Sequence, residues 1–525
     1  MRQIRTPKVF HWGIVASIVT AGAVAGVAKT VPPDDRTVTH VLNRIAFGPR
    51  PGDIERIKAI GVQRYIDEQL RPDRIPDGGM NARLAALQTI GMSSRELAEK
   101  FERPAIEARK EKKADGDAPT PAAKAMQQKA NSVVVELSEQ KVLRAIYSER
   151  QLQEVLTDFW FNHFNVDARK GADRFMLTEY EREAIRPHVL GKFRDLLEAT
   201  AKSPAMLFYL DNWMSADPNG PHAEMRAPRV VRGPFGRPMV MGQPPRMPAQ
   251  GKNAPKGLNE NYGRELMELH TLGVDGGYAQ RDVTEVARAF TGWTIQNPRQ
   301  GGGFKFEPRL HDAGQKVVLG HVIKAGGGER DGEDVLDILA KHPSTAHFIA
   351  TKLVRRFVSD TPPPALVDRA AERFRATDGD LREVMRTILT APEFVAPDAF
   401  RAKVKTPFEF VVSSVRALGA EVTDAAPLVR ATQQMGMPLY QCQPPTGYKD
   451  TADAWVNTGA LVSRMNFAVQ ITGGKLAGVT PTTLDWVAET AATDFSDATR
   501  ATIAKATTPP QIAALTLGAP EFQRR

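Results

Sequence analysis

The chain has 525 residues, of which 42% are hydrophobic and 25% are charged, a globular composition with a large core and room for more than one domain. Its single cysteine, Cys442, excludes an intrachain disulfide. The net charge of +9 predicts a basic soluble surface or attraction to an anionic polymer. Because no stripe of Lys and Arg is interleaved with aromatic residues, nucleic-acid binding is not expected.

The first 28 residues have the pattern of a secretory signal peptide. Three basic residues precede an apolar stretch at residues 9–28, which contains an Ala-x-Ala pattern at residues 23–25. The alternative is an uncleaved anchor, because about 20 apolar residues can span a bilayer. We expect cleavage and a periplasmic or secreted protein, which would touch a membrane only through an uncleaved leader.

The rest of the chain predicts a mainly α protein, because residues that favour helices recur at helical spacing. Helices are predicted at residues 38–47, 54–60, 62–70, 151–166, 258–291, 333–341, 344–358, 364–375, 380–390 and 403–419, and again from residue 455. The clearest β signal is a pair of short strands at residues 304–306 and 316–323, which predicts a small β-hairpin near 304–323.

Two long insertions interrupt the helical pattern. Residues 103–130 are rich in Lys, Glu, Ala and Pro, which predicts a solvated helix or a disordered insert. Residues 213–258 are rich in Pro, Gly, Met and Arg. This segment is either a lid over a site or simply a lineage-specific insertion. The predicted organisation is one helical domain over 36–470, with residues 471–525 as a helical tail packed on the same body.

Several stretches resemble the bacterial family known as domain-of-unknown-function family 1800. They lie at residues 40–49 (HVLNRIAFGP), 159–164 (FWFNHF) and 259–273 (NENYGRELMELHTLG), with shorter matches at His311-Asp312 and Gly447-Tyr448. Where the family often has Trp-His-x-His-Phe, this chain carries Phe161 in place of the first histidine. The resemblance implies export and an exported phosphatase- or sulfatase-like partner, and it supplies no established reaction.

The predicted helix at residues 260–272 carries two carboxylates one turn apart. Glu265 and Glu268 flank an apolar stripe, so they could serve as an acid/base pair or as ligands of a divalent metal. Their proximity should raise one of the two pKa values unless a cation intervenes. The structural alternative is a set of ordinary ion pairs along the helix, with Arg264 reaching Glu268.

Two histidines are the other candidates for chemistry. His163 shares a helix face with Leu152 and Phe159, so it is either a satisfied core residue or a general base at the bottom of a cleft. His311 and Asp312 lie between the two predicted strands, where such a pair can bind metal, shuttle protons or form an ordinary turn.

These residues give two hypotheses of function. The first is an exported hydrolase-like enzyme acting on an envelope or extracellular polymer, in which His163, Glu265, Glu268, His311 and Asp312 form one catalytic centre if their three segments converge. Its cofactor is left open, with a divalent metal as a candidate. The second is a non-enzymatic envelope scaffold or binding protein that works with an exported partner.

Overall fold

The structure is a computed structural model that describes residues 34–108, 120–220, 230–232, 238–240, 257–486 and 495–525. The predicted leader lies outside these residues, as do the middle of the 103–130 insert and most of the 213–258 insert with its proposed lid. Within the described ranges, every helix is too short or too polar to span a bilayer.

The chain is 60% helical, which confirms the mainly α prediction. Described helices of eight or more residues span Asp35–Ile45, Asp53–Ile60, Val62–Gln69, Pro121–Tyr147, Gln151–His163, Phe193–Ala201, Glu260–Glu268, Gln280–Ala289, Glu329–Lys341, Pro343–Phe357, Pro364–Ala376, Leu381–Leu389, Pro407–Ala417, Ala426–Gln434, Thr458–Thr472 and Pro509–Gly518. Shorter helices include Gly79–Leu84, Ser94–Leu97, Leu177–Glu179, Pro204–Tyr209, Leu484–Trp486 and Asp497–Ile503.

The β structure consists of antiparallel strand pairs two or three residues long. Among the described residues the pairs are Val230–Arg232 with Pro238–Val240, Trp293–Ile295 with Phe304–Phe306, Lys316–Val318 with His321–Ile323, and Glu421–Val422 with Val479–Thr480. The predicted small hairpin is present, although strand 304–306 pairs with an earlier strand and 316–323 is a hairpin by itself. Its turn residues, Leu319 and Gly320, have φ values of 50° and 81°, which suit a two-residue hairpin loop.

The helical region predicted at 258–291 is two helices. The first ends at Glu268 and the second begins at Gln280. The turn between them requires glycine at position 276, because a Cβ there would lie 2.3 Å from the Leu272 Cβ. This break directs the backbone carbonyl of His270 toward the end of the Gln151–His163 helix, where it accepts a hydrogen bond from His163.

The helix Pro343–Phe357 is central to the fold. It begins at a proline in the first position, with the His342 side chain as its cap, and packs against Glu329–Lys341, Pro364–Ala376 and Leu381–Leu389. Its fully buried residues, among them Ala346, Ile349, Ala350, Leu353 and Phe357, follow the spacing of one helix face. Lys352 and Arg355 remain only partly buried on another side of the same helix.

Candidate functional site

An open cleft of about 240 Å³ lies between the ends of two helices and the loop at residues 441–450. Its size suits one small chemical group rather than a large ligand. We call it the basic cleft. The residues lining it are Asp158, Phe159, Asn162, His163, Lys352, Arg355, Arg356, Thr406, Met437, Thr446, Tyr448, Lys449, Asp450 and Thr451.

His163 and Lys352 form a polar pair in the wall of this cleft. His163 is 2% exposed, and its Nε2 lies 3.1 Å from the His270 carbonyl oxygen. Because a carbonyl oxygen can only accept, Nε2 carries the proton and Nδ1 of the neutral ring is an acceptor. Lys352 Nζ lies 2.8 Å from this Nδ1 and donates to it. The histidine therefore fixes the position of the lysine amine.

The charges in this pair are set mainly by burial. Burial lowers the pKa of Lys352 to about 8, with Asp450 raising it and Arg355 lowering it. Burial also holds the pKa of His163 well below 6.5, helped by Lys352 and His270. At neutral pH the pair is therefore an ammonium hydrogen-bonded to a neutral imidazole.

Lys352 and Arg355 face the cleft without an internal counter-ion. Within the described parts of the chain, no carboxylate lies within 4 Å of either side chain, and the buried Nε of Arg355 has no hydrogen-bond partner. The two residues are three positions apart on one helix, so both can approach the same ligand. Partly buried cations without a counter-ion are costly, and an anionic group in the cleft would neutralise both.

The carboxylates that line the cleft are already paired with other cations. Asp158 lies 2.6 Å from Lys141 Nζ. Asp450 lies 3.4 Å from Lys403 Nζ and 3.7 Å from the Arg356 guanidinium. These pairs leave Lys352 and Arg355 without a carboxylate in direct contact, although Asp450 still raises the pKa of Lys352, so the cleft is suited to an anionic group.

The loop on the other side of the cleft is held by Asn162. Its amide accepts from the Tyr448 backbone N–H at 2.7 Å and donates to the Tyr448 carbonyl at 2.8 Å. This approach requires glycine at position 447, where φ is +72° and a Cβ would lie 2.2 Å from the Asn162 carbonyl oxygen. The loop residues that line the cleft are therefore fixed against the helix that carries His163.

Of the five residues predicted as one catalytic centre, His163 alone lines the basic cleft. Glu265 is half-buried, and burial together with Glu268 raises its pKa. Glu268 accepts a hydrogen bond from the Tyr278 hydroxyl at 2.9 Å. Both carboxylates lie on the helix Glu260–Glu268, outside the residues that line the cleft.

His311 and Asp312 are held by their own partners next to the small hairpin. His311 contacts Asp331 at 3.1 Å, and the same carboxylate pairs with the buried Lys316. Asp312 is held by the Arg288 guanidinium at 2.7 and 3.1 Å. Across the described residues, no three His, Cys, Asp or Glu side chains are arranged to hold a metal ion. His311 and Asp312 therefore have partners of their own and, like Glu265 and Glu268, they do not line the basic cleft.

Sequence reasoning missed Lys352 and Arg355. Arg355 lies in the last turn of its helix, where basic residues are common because they complement the helix dipole, and Lys352 lies one turn earlier among other polar residues, so neither gave a separate signal. Their role depends on His163, which lies 189 positions earlier in the chain. The one available hint was the prediction that His163 lies at the bottom of a cleft.

Anion binding at the basic cleft is expected to weaken as the pH rises through about 8. Below this pH Lys352 is already protonated, whereas above it binding must recapture a proton, which lowers affinity by up to about tenfold per pH unit. The dissociation constant of galacturonate, whose carboxylate does not titrate in this range, measures the effect. A constant that does not change across pH 8 would contradict this assignment of charge.

Comparison with known proteins gives a family and no activity. A family model described as "Protein of unknown function (DUF1800)" matches residues 40–524, including most of the segment after residue 470. No curated protein and no solved structure matches the chain. Because the family model covers nearly the whole sequence, the chain belongs to the DUF1800 family.

Proposed function

We propose that the protein is an exported, hydrolase-like enzyme that binds an anionic group of its substrate in the basic cleft. The observation that carries the proposal is the pair Lys352 and Arg355, two cationic side chains that face the cleft with no carboxylate within 4 Å among the described residues. Fixed cations of this kind can stabilise negative charge that develops during bond cleavage.

In this proposal Lys352 is the catalytic residue and His163 is a positioning residue. A pKa of about 8 lets the ammonium hold an anion at neutral pH and still donate a proton to a leaving group. His163 orients the Lys352 amine. Its Nε2 donates to the His270 carbonyl, and its Nδ1 accepts from Lys352. Arg355 supplies a second positive charge one helical turn away.

The site of action follows from the leader. The signal-peptide pattern of residues 1–28 supports export to the periplasm or the extracellular space. An envelope or extracellular polymer is then the proposed substrate, and the resemblance to the family supports an exported phosphatase- or sulfatase-like partner.

The proposal is tested by incubating the purified protein with anionic and neutral polysaccharides and measuring newly formed reducing ends. We expect cleavage of polygalacturonate or a sulfated polysaccharide, and none of dextran. The variant Glu265→Gln should keep this activity because Glu265 does not line the cleft. Tight binding of the anionic polymers without cleavage would instead favour the binding-protein hypothesis, and no binding at all would overturn the role of the cleft.

A further inference from the structure

Two grooves lie on either side of the helix Ala426–Gln434. The first encloses about 460 Å³ and is lined by Ala426, Val429 and Gln433 from this helix. The second encloses about 490 Å³ and is lined by Pro427, Ala431 and Gln434. Arg430 lines both grooves, so they meet at its side chain. We call them the paired grooves.

The paired grooves are cationic. Among the described residues that line them, none is Asp or Glu, whereas Arg169, Arg174 and Arg430 line the first and Arg430 and Lys475 line the second. Arg169 is paired with Asp167, and Arg174 with Asn131. Arg430 and Lys475 are exposed, and no described carboxylate lies within 4 Å of either. Both are therefore available to an anionic ligand.

The first groove adjoins the basic cleft. Met437 lines the cleft, and the next residue, Pro438, lines the groove. Tyr448 of the cleft donates a hydrogen bond from its hydroxyl to the Pro438 carbonyl at 2.8 Å. The cleft and the first groove are therefore neighbours at Met437 and Pro438, and together with the second groove the three cavities exceed the size of a single small ligand.

We propose that an acidic polysaccharide binds along the paired grooves, with one of its units in the basic cleft. This inference rests on the proposed function and names its substrate class. The charged groups of successive units would contact Arg430 and Lys475 in the grooves and Lys352 in the cleft. Binding of several units at once multiplies the affinity without requiring a strong contact at any one of them.

The groove lining favours a polysaccharide over a nucleic acid. Exposed amides line the grooves at Gln433, Gln434, Asn466 and Gln470, and amides can both donate to and accept from sugar hydroxyls. Single-stranded nucleic acid is usually held by aromatic side chains that stack on the bases. Phe467 is the only aromatic residue among the described groove residues, and it is buried.

The experiment compares binding of galacturonate monomer and long oligogalacturonate to the full-length protein by isothermal titration. The variant combines Arg430→Gln with Lys475→Gln. The control combines Arg330→Gln with Lys505→Gln, which removes the same charge from exposed residues outside the grooves. Dextran sulfate, dextran and single-stranded DNA complete the panel, so that carboxylated, sulfated, neutral and nucleic-acid polymers are distinguished.

We expect the groove variant to weaken oligomer binding by about tenfold or more, because two charge-assisted contacts are lost, and to leave monomer binding unchanged. The control variant should bind both ligands like the wild type. Equal affinity for monomer and oligomer in the wild type would overturn the groove proposal while leaving the cleft intact. Tighter binding of DNA than of either acidic polysaccharide would also overturn it. Loss of monomer binding in Lys352→Met but not in the groove variant would support the cleft as the site of the single unit.

Discussion

The variant Lys352→Met is expected to lose anion binding and to fall by about 10²–10⁴-fold in turnover, while its folded state becomes more stable. The loss of function follows from removing the cation that faces the cleft and donates the proton. The gain in stability follows from burial, which lowers the pKa of Lys352 from 10.5 to about 8. Folding at neutral pH therefore costs about 3 kcal/mol at this residue, since each pKa unit is worth about 1.36 kcal/mol.

The size of this stability effect depends on pH. Below pH 8 the lysine is charged in both states and the full cost applies, whereas above pH 10.5 it is neutral in both and the cost disappears. Urea unfolding on both sides of this window should show the variant more stable only at the lower pH. The control is Lys449→Met, because Lys449 lines the same cleft with its side chain 74% exposed. A Lys352→Met protein that is less stable yet still binds anions would contradict the account.

The variant Glu409→Gln is expected to lower the free energy of unfolding by about 3–5 kcal/mol. Glu409 is buried and lies 2.6 Å from Arg356 and 2.9 Å from Arg525. It also accepts from the Thr406 backbone N–H at 2.8 Å and so caps the helix Pro407–Ala417. Glutamine keeps the shape but removes the nearest carboxylate from two buried guanidinium groups, which then have Asp450 only at 3.7 and 3.8 Å.

Acid titration gives this variant a second signature. Burial raises the pKa of Glu409, but Arg356 and Arg525 outweigh it and lower the pKa to about 2. The contribution of the Glu409 carboxylate to the free energy of unfolding is therefore complete above pH 4.5 and is lost as the pH falls toward 2. The difference in unfolding free energy between wild type and variant should shrink over the same interval. The exposed residue Glu372 supplies the control, since Glu372→Gln should have little effect at any pH.

The helices were predictable because their apolar spacing is local. The helix Pro364–Ala376 matches the predicted 364–375, and Leu381–Leu389 matches 380–390. The partner of the strand at 304–306 was not predicted, because the strand that it joins, Trp293–Ile295, is three residues long and begins four positions after the end of a helix. Segments this short carry too few residues for alternation to be recognised.

The candidate site was predicted only in part, because it is assembled from distant segments. His163 was identified because a histidine on an apolar helix face must find a partner. That partner, Lys352, comes from a helix 189 positions later. His311 and Asp312 illustrate the opposite case, since their sequence pattern suits chemistry while Asp331 and Arg288 already engage them. Residue type alone does not distinguish a side chain in an ion pair that stabilises the fold from a charged side chain that faces a cleft.

The pKa of Lys352, measured with and without a bound anion, tests most directly whether the basic cleft is an anion site. Isotope-labelled lysine side chains report this pKa by nuclear magnetic resonance, and Lys352→Met assigns the signal. The account predicts a pKa near 8 in the free protein that rises when galacturonate saturates the cleft, because the carboxylate stabilises the ammonium. A pKa that stays the same at saturating galacturonate would contradict the account.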